Sequence, residues 1–331
     1  MKRKSLRIGK RLLALVFASV LPALASFGAS GQSRTISPYA VALQRTNPIS
    51  RDVVSKKAIG RYGYAVTYRY SVSMPSPDTA TSYYPDYDLM RLEIGSGLSR
   101  YYSLAADRCD SLMFKARQEG ADGVNNSSWM DGGRIAVYED CYQNWPGQGI
   151  LTVRMGIVDT EYEYSERMPD LQWTFIPDTA VTVLGYQCMA ASTEFRGRRY
   201  TVWFAPDIPI SAGPWKFCGL PGLIMAVEES SGVFSWEAVG LERRSGDIHI
   251  FDPGYDSYGG GVPKMKIRRI NRRQALGLER KRWADPYGFK LALGVDLSVG
   301  HYEGDKLVIE KVTAANREQF ALPEVPALEL E

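Results

Sequence analysis

The sequence has few of the side chains on which hydrolytic and metal-dependent catalysis usually depends. It contains only two histidines, His249 and His301, and a serine or cysteine nucleophile needs a neighbouring base. The nucleophile-elbow pattern G-x-S-x-G, the zinc-protease pattern H-E-x-x-H and the glycine patterns that bind phosphate are also missing. These absences argue against a nucleophilic hydrolase, a zinc protease and a nucleotide-dependent enzyme, and the sequence predicts no cofactor.

Cysteine is scarce as well, with four residues: Cys109, Cys141, Cys188 and Cys218. No two of them have C-x-x-C spacing and neither histidine lies near one in the sequence, so no metal site is predicted. In an oxidising compartment an even number of cysteines favours two disulfides over buried free thiols. Four cysteines allow three connectivities.

The chain also lacks an apolar run long enough to span a membrane. Its first residues are basic, an apolar run follows at 12–18, Pro22 interrupts the apolar stretch, and residues 28–31 are small. A membrane span needs about 20 apolar residues, whereas this arrangement is typical of a secretory signal peptide. We expect residues 1–31 to be a cleaved signal peptide and the protein to be exported to the periplasm or the outer-membrane periphery.

Net charge is small. The formal charge is +3, and six of the basic residues but no acidic residue lie in 1–31. The rest of the chain therefore has a net charge near −3, which does not indicate a nucleic-acid-binding protein.

The clearest positive signal in the sequence is the alternation of aromatic or apolar residues with polar ones. From Tyr62 to Val72 every second residue is tyrosine or valine, the pattern of a half-buried strand. Two further stretches, 184–204 and 223–241, each contain two strand-like runs joined by a short glycine-containing link, which predicts hairpins. With one predicted helix at 99–119, the sequence predicts a mainly β fold: a single antiparallel, strongly curved sheet, or an open barrel or half-barrel, with one packed helix.

The predicted organisation has four parts. A polar N-terminal extension at 32–58 follows the signal peptide, a β-rich domain occupies 59–312, and a tail of 313–331 ends the sequence. Prolines in the tail, Pro323 and Pro326, oppose regular structure there.

Residues 264–282 carry nine basic residues against one acid, Glu279. Such a cluster could contact anionic lipid headgroups at a membrane surface. The favoured alternative is a solvated face whose charges pair with acids elsewhere.

Three tryptophans and a lysine are the candidate binding residues: Trp203, Trp215, Lys216 and Trp236. Aromatics on an open concave sheet can hold an apolar or sugar ligand, but on a closed one they are core residues, and the core interpretation is favoured. Carboxylate pairs, Glu228 with Glu229 and Glu161 with Glu163, could serve glycoside hydrolysis, although neighbouring acids are common on surfaces.

The stretch GPWKFCGLPGLI, residues 213–224, combines two glycine–proline or proline–glycine steps with an apolar run. Proline at the first central position of Leu220-Pro221-Gly222-Leu223 and glycine at the second predict a type II turn. A buried strand, 223–227, is expected to follow.

This stretch, with GYQCMAASTEFRGRRYTVWFAPDIPIS before it and DLMRLEIGSGLSRYYSLAADRCDSL further upstream, resembles the GLPGLI family of secreted bacterial envelope proteins of unknown function. The resemblance covers about residues 60–310. The residues of the motif are Gly213, Pro214, Trp215, Gly219, Leu220, Pro221, Gly222, Leu223 and Ile224.

The resemblance implies export, a β-rich fold and genes placed beside those of outer-membrane transport proteins or peptidases. It implies no catalytic residue, cofactor or ligand. Cysteines recur in the family at Cys188 and Cys218, which favours a disulfide between them, and a second between Cys109 and Cys141 is the weaker expectation.

Together these observations predict an exported, non-enzymatic envelope protein. We expect a binding or accessory module for a lipid, a peptide or an outer-membrane partner such as a transport protein. The alternatives are a carboxylate-dependent envelope hydrolase and a purely structural envelope protein.

Overall fold

The computed structural model describes residues 52–75, 83–119, 139–157, 160–254, 267–294, 297–303, 306–320 and 327–331. The predicted signal peptide, most of the predicted extension and the prolines of the tail lie outside the described residues.

The described chain is built mainly from strands. The strands are β1 (Asp52–Pro75), β2 (Tyr83–Gly95), β3 (Ser99–Ser103), β4 (Glu139–Gln143), β5 (Ile150–Ile157), β6 (Thr160–Arg167), β7 (Thr174–Val183), β8 (Tyr186–Phe195), β9 (Arg198–Ala205), β10 (Leu223–Glu229), β11 (Phe234–Glu242), β12 (Gly246–Gly254), β13 (Arg268–Arg269), β14 (Leu297–Glu303) and β15 (Lys306–Val312). The helices are α1 (Leu104–Gln118), α2 (Arg272–Ala284) and α3 (Pro286–Ala292), followed by a 3-10 turn at Arg317–Phe320.

Thirteen of the described strands form one sheet, in the order β13-β6-β5-β4-β3-β2-β1-β11-β10-β9-β8-β7, with β12 paired to β1 off this path. The prediction of a wholly antiparallel sheet is wrong, because β13 pairs parallel to β6. The two predicted hairpins are confirmed, since β8 pairs with β9 and β10 pairs with β11, both antiparallel. Strands β14 and β15 form a separate hairpin.

The chain path requires this sheet to bend. Strands β6 and β7 are ten steps apart along the sheet, which would separate them by about 48 Å if the sheet were flat. Only residues 168–173 join them, and an extended link of that length reaches about 25 Å. Strands β6 and β7 therefore approach each other around a concave face, and no pairing between described strands closes the sheet into a barrel.

Predicted boundaries differ from the observed ones at two places. Residues 99–103 are strand β3 rather than the start of the helix, and the Ser103 hydroxyl accepts a hydrogen bond from the Ala106 backbone N–H at the helix start. Strand β1 begins at Asp52 and pairs with β12, so the last residues of the predicted extension belong to the sheet. Helices α2 and α3 are additional to the single helix that was predicted.

The concave face holds most of the apolar core. Alternate residues of neighbouring strands point into it, among them Tyr68, Leu92, Tyr101, Val153 and Trp236, all buried. The Tyr68 hydroxyl donates to the Ile224 carbonyl (2.7 Å), and the Trp236 indole N–H donates to the Tyr101 hydroxyl (2.9 Å). These bonds tie together strands that are not neighbours in the sheet.

Candidate functional site

The link between β9 and β10, residues 206–222, contains most of the GLPGLI-like motif and folds back against β10. The Ile208 carbonyl accepts from the Leu223 N–H (3.0 Å), and the Ala212 carbonyl accepts from the Ile224 N–H (2.9 Å). Ala212 and Cys218 form an isolated antiparallel bridge. The segment that follows, 223–227, is buried throughout, as predicted.

The predicted type II turn at residues 220–223 is wrong, because Gly222 does not have a positive φ. Its glycine is required by close packing instead. A Cβ atom at Gly222 would lie 2.4 Å from the Ala205 carbonyl oxygen, and one at Gly213 would lie 2.9 Å from Ile224 Cβ. The sharp turn occurs earlier in the motif, where the Phe217 N–H donates to the Pro214 carbonyl (3.1 Å).

Trp215 occupies the first central position of that turn with a φ of 52°. This left-handed conformation costs a non-glycine residue about 1–2 kcal/mol, so the surrounding contacts must hold it. The Trp215 ring stacks on Trp236 (centroids 6.2 Å apart) and meets the edges of Phe195 and Phe217 at 5.6 and 5.5 Å. Its carbonyl accepts from the Gln143 side-chain amide (3.3 Å).

All four predicted binding residues are buried: Trp203, Trp215, Lys216 and Trp236. The structure brings Trp215, Lys216 and Trp236 together on the concave face, while Trp203 lies on β9. Their burial fits the core interpretation that the sequence favoured. A ligand on an open concave face could not contact Trp215 or Trp236 without displacing the aromatic rings packed around them.

Lys216 carries a charge inside the protein, with a side chain that is 0% exposed. Its ammonium donates to Glu166 Oε1 (2.8 Å), Glu329 Oε1 (2.5 Å) and the Tyr164 hydroxyl (3.0 Å). Burial alone would lower the lysine pKa, but Tyr164 and the neighbouring acids, Glu329 and Glu166, raise it overall. The lysine therefore stays charged.

Two arginines complete this buried ion cluster, defined here as Lys216, Glu166, Glu329, Arg196 and Arg272. Arg196 Nη2 contacts Glu166 Oε2 (2.5 Å), and Arg196 Nε lies 3.6 Å from Glu329 Oε2. Arg272 donates to Glu329 Oε2 through its Nε (2.9 Å) and also through its Nη2. The cluster thus joins β6, the β8–β9 turn, the motif, α2 and segment 327–331.

Local sequence positions these groups. Tyr162, Tyr164 and Glu166 alternate along β6, which puts them on one face of that strand. Arg272 is the first residue of α2, whose start is fixed by a capping box between Asn271 and Gln274. Arg272 belongs to the predicted basic segment, but no pattern in the sequence connected Arg196, Glu166 or Glu329 with a site.

Glu139 lies next to the cluster. Burial raises the pKa of its carboxyl to about 7, against the opposing attraction of Lys216, and the charges of Glu279 and Glu329 add to the rise. The Cys141 thiol donates to Glu139 Oε1 (3.5 Å). Glu139 is the group of this region that titrates near neutral pH.

We expect Glu139→Gln to remove a pH dependence of stability. The carboxyl pKa rises from 4.5 in the unfolded chain to about 7 in the folded protein, so its contribution is complete below about pH 4.5 and is lost as the pH rises through 7. Relative to the original chain, the glutamine variant should gain about 2–3 kcal/mol between pH 5 and pH 8. Urea unfolding at both pH values measures this.

The matched control is Glu194→Gln, because the Glu194 side chain is 75% exposed and its ion pair is with Arg199, which is exposed as well. The effect of this control substitution should be nearly the same at both pH values. An equal response of the two variants to pH would contradict the role given to Glu139.

The predicted disulfide between Cys188 and Cys218 is not formed, since Cys141, Cys188 and Cys218 are all free thiols. The Cys188 thiol faces the Tyr186 carbonyl on β8 (3.6 Å), whereas the Cys218 thiol faces the Pro169 carbonyl (3.9 Å). Burial raises the pKa of both thiols to about 11. The second predicted disulfide, between Cys109 and Cys141, is not formed either, because Cys141 is a free thiol. The Cys109 side chain lies outside the described residues.

The basic segment 264–282 is described from residue 267 onward. Arg269 pairs with Glu163 (3.1 Å), Arg272 with Glu166 and Glu329, and Arg282 with Glu279 (3.2 Å). The pairs of Arg269 and Arg272 fit the favoured interpretation, in which the charges of the segment meet acids elsewhere, whereas Arg282 pairs within the segment. Contact with a membrane surface stays a prediction.

The acids proposed for glycoside hydrolysis fall into separate environments. Glu163 binds Arg154 (2.8 Å) as well as Arg269, and Glu229 accepts from Arg198 (3.4 Å). Burial raises the pKa of Glu228, and the charge of Glu237 raises it further. Glu163 and Glu229 are thus each engaged by arginine, and catalysis by the two predicted pairs stays a prediction. Among the described residues, no group of three potential metal-ligating side chains is positioned to hold an ion.

Two surface features lie outside the filled concave face. A groove of about 710 Å³ runs beside the β8–β9 turn; it is lined by residues 194–199, 229–231, 330 and 331. An apolar patch, defined here as Phe175 and Met189, lies on the β7–β8 hairpin, where these side chains are 54% and 51% exposed. Leu184, which is 43% exposed, lies at the turn of the same hairpin. No helix among the described residues has the length and apolar character needed to cross a membrane.

Comparison with known proteins gives limited matches. Residues 186–226 match a family described as a protein of unknown function, Porph_ging. These residues run from the start of β8 into β10 and so include the motif, Trp215 and Lys216. No curated protein matches the chain.

Two solved structures show weak similarity. They are the structure of PNGF-II in a P21 space group, at 12% identity and a TM-score of 0.39, and in a C2 space group, at 13% identity and 0.38. The alignments cover 74% and 75% of this chain, but the chain spans only 35% of the PNGF-II chain in both. Similarity at this level supports no statement about activity.

Proposed function

We propose that the protein is an exported, non-enzymatic member of the GLPGLI family that acts as an accessory module for a protein partner in the bacterial envelope. The motif at 213–224 supports the family, and the basic and apolar start of the chain supports export. The periplasm or the outer-membrane periphery is the proposed location, and an outer-membrane transport protein is the proposed kind of partner.

A lipid carried on the concave face is less well supported than a protein partner. Trp215, Phe217 and Trp236 pack against one another there and are at most 2% exposed. A carrier would need an open apolar cavity of several hundred Å³ at this place. Partner binding is therefore placed on the outer surface in this proposal.

The observation that carries the proposal is the apolar patch. Three of the seven large apolar side chains that are exposed in the described residues belong to this one hairpin. The Phe175 ring contacts Phe204 (5.9 Å), and Met189 is opposite Phe204 in the β8–β9 register. Grouped exposed apolar residues of this kind are typical of protein-binding surfaces.

The sheet edge beside the patch is unsuited to strand addition by the partner. In β7 the register breaks between Ile176 and Val181, where Pro177 lacks an N–H and Asp178 has a φ of 57°. Proline and bulges at an edge oppose pairing with another chain. Side-chain contacts with the patch are thus the proposed mode of binding.

Site-specific photo-crosslinking in the native host tests this function. With p-benzoylphenylalanine in place of Phe175, we expect one discrete crosslinked protein, identifiable by mass spectrometry. Leu293 at the end of α3 is the matched control, because its exposure of 51% is similar; substitution there should give no such adduct.

Absence of an adduct at position 175, or the same adducts at both positions, would contradict the proposal. That result would favour a purely structural envelope protein. A second variant, Phe175→Ser with Met189→Ser, should reduce recovery of the crosslinked partner in native purification at least tenfold.

A further inference from the structure

Segment 327–331 is held in the way that a receptor holds a bound peptide. The Leu330 N–H donates to the Arg196 carbonyl (3.0 Å), and the Ala327 carbonyl accepts from Arg198 Nη2 (2.6 Å). The Leu330 carbonyl accepts from Arg280 (2.8 Å). Main-chain contacts with a neighbouring element, combined with a side-chain anchor, are a common mode of peptide recognition.

The β8–β9 turn is shaped to admit this segment closely. Gly197 has a φ of 75°, and a Cβ atom there would lie 2.9 Å from Leu330 Cβ. A larger residue at Gly197 would therefore push the segment away. The segment itself shows two kinds of surface: Glu329 is 6% exposed, whereas Leu330 is 50% exposed.

Glu329 is the anchor, and it neutralises an otherwise cationic site. Lys216, Arg196 and Arg272 all approach its carboxylate, at 2.5 Å, 3.6 Å and 2.9 Å for Nζ, Nε and Nε respectively. Among the described residues, Glu166 is the other side-chain carboxylate that all three cations contact. Arg272 Nη2 also donates to the main-chain oxygen of Glu331 in the same segment. Loss of the segment would therefore leave the three cations with a deficit of negative charge. Buried charges without partners are costly, so the vacated site would attract another carboxylate.

The groove beside the segment gives room for a longer ligand. It begins at Leu330 and Glu331 and continues along residues 194–199 and 229–231. Arg199 is exposed in this groove, and the Ser230 N–H is tied to its carbonyl (2.9 Å). An extended peptide that placed a glutamate in the ion cluster could thus continue into the groove.

We propose that Lys216, Arg196 and Arg272 form a receptor site for the carboxylate of a glutamate-containing peptide of another polypeptide, and that segment 327–331 is its intramolecular occupant. The site takes an extended peptide with apolar residues on either side of the glutamate, as in Ala327-Leu328-Glu329-Leu330-Glu331. It lies at the opposite end of β8 from Leu184, and it does not depend on the apolar patch.

The test vacates the site in the full chain and supplies the peptide in trans. In Glu329→Lys the reversed charge should expel the segment from the three cations. Fluorescein-labelled ALELE, the sequence of the segment, should then bind this variant at least tenfold more tightly than the original chain, as measured by fluorescence anisotropy. The matched peptide ALQLE should bind the variant at least tenfold more weakly than ALELE.

Equal affinities of ALELE and ALQLE for the folded variant, or no gain over the original chain, would overturn the proposal. Circular dichroism establishes that the variant is folded. If Glu329→Lys does not fold, Glu329→Gln replaces it, because glutamine keeps the shape of the side chain; ALELE should then raise its Tm with increasing concentration and ALQLE should not. Absence of that difference would equally overturn the proposal.

Discussion

Replacement of Lys216 by methionine is expected to lower the free energy of unfolding by about 3–5 kcal/mol. Methionine matches much of the apolar length of lysine but removes the charge. Glu166 and Glu329 would then lose a fully buried, hydrogen-bonded cation at 2.8 and 2.5 Å. Urea denaturation, followed by circular dichroism, gives the change.

Lys57→Met is the matched control. Lys57 lies on β1 and is exposed, so its replacement should change the unfolding free energy by no more than about 0.5 kcal/mol. A Lys216→Met variant as stable as this control would show that the buried ion cluster contributes little to folding.

Replacement of Trp215 by alanine is expected to cost about 3–5 kcal/mol as well. The indole fills space between Phe195, Phe217 and Trp236 with ring centroids 5.5 to 6.2 Å away. Alanine would leave a cavity that these rings could only partly close. Thermal or denaturant unfolding of the two chains measures the loss.

A glycine variant separates the ring from the backbone at this position. At most positions glycine is less stable than alanine, but Trp215 has a φ of 52°, which glycine adopts at little cost. Trp215→Gly should therefore be more stable than Trp215→Ala by about 1 kcal/mol. If Trp215→Ala proved more stable than Trp215→Gly, that result would contradict a left-handed backbone conformation at position 215.

Local patterns predicted the strands better than any other part of the structure. The hairpin at 184–204 was predictable because its alternation and its Arg196-Gly197 turn are both short-range features. The strand β3 was mistaken for helix because Tyr102 and the apolar residues of α1 share one helical stripe, while the Ser103 cap separates them. Strand β13 could not be predicted, because it is only two residues long and two residues cannot show an alternating pattern.

The role of glycine in the motif was predictable only in part. Proline followed by glycine suggested positive φ at Gly222, but the need for glycine there comes from the Ala205 carbonyl oxygen, which lies 2.4 Å from the position that a Cβ atom would occupy. A positive φ and a close backbone contact both require glycine, so the residue type alone could not distinguish between them. The positive φ belongs to Gly219 and to Trp215.

The ion cluster could not be predicted because its members are distant in the sequence. Lys216 is separated by 50 residues from Glu166 and by 113 residues from Glu329. The sequence marked Lys216 as a candidate but showed no sign of its partners, since single acids and arginines are common at surfaces. Free thiols at Cys188 and Cys218 were missed for a related reason: their separation in space depends on the whole sheet.

A double-mutant cycle between Lys216 and Glu329 tests the central claim most directly, namely that the motif anchors segment 327–331 through a buried ion pair. The unfolding free energies of the original chain, Lys216→Met, Glu329→Gln and the double variant give the coupling. We predict a coupling of about 2 kcal/mol, because the two groups are in contact at 2.5 Å. Effects that add to within about 0.5 kcal/mol would contradict the account.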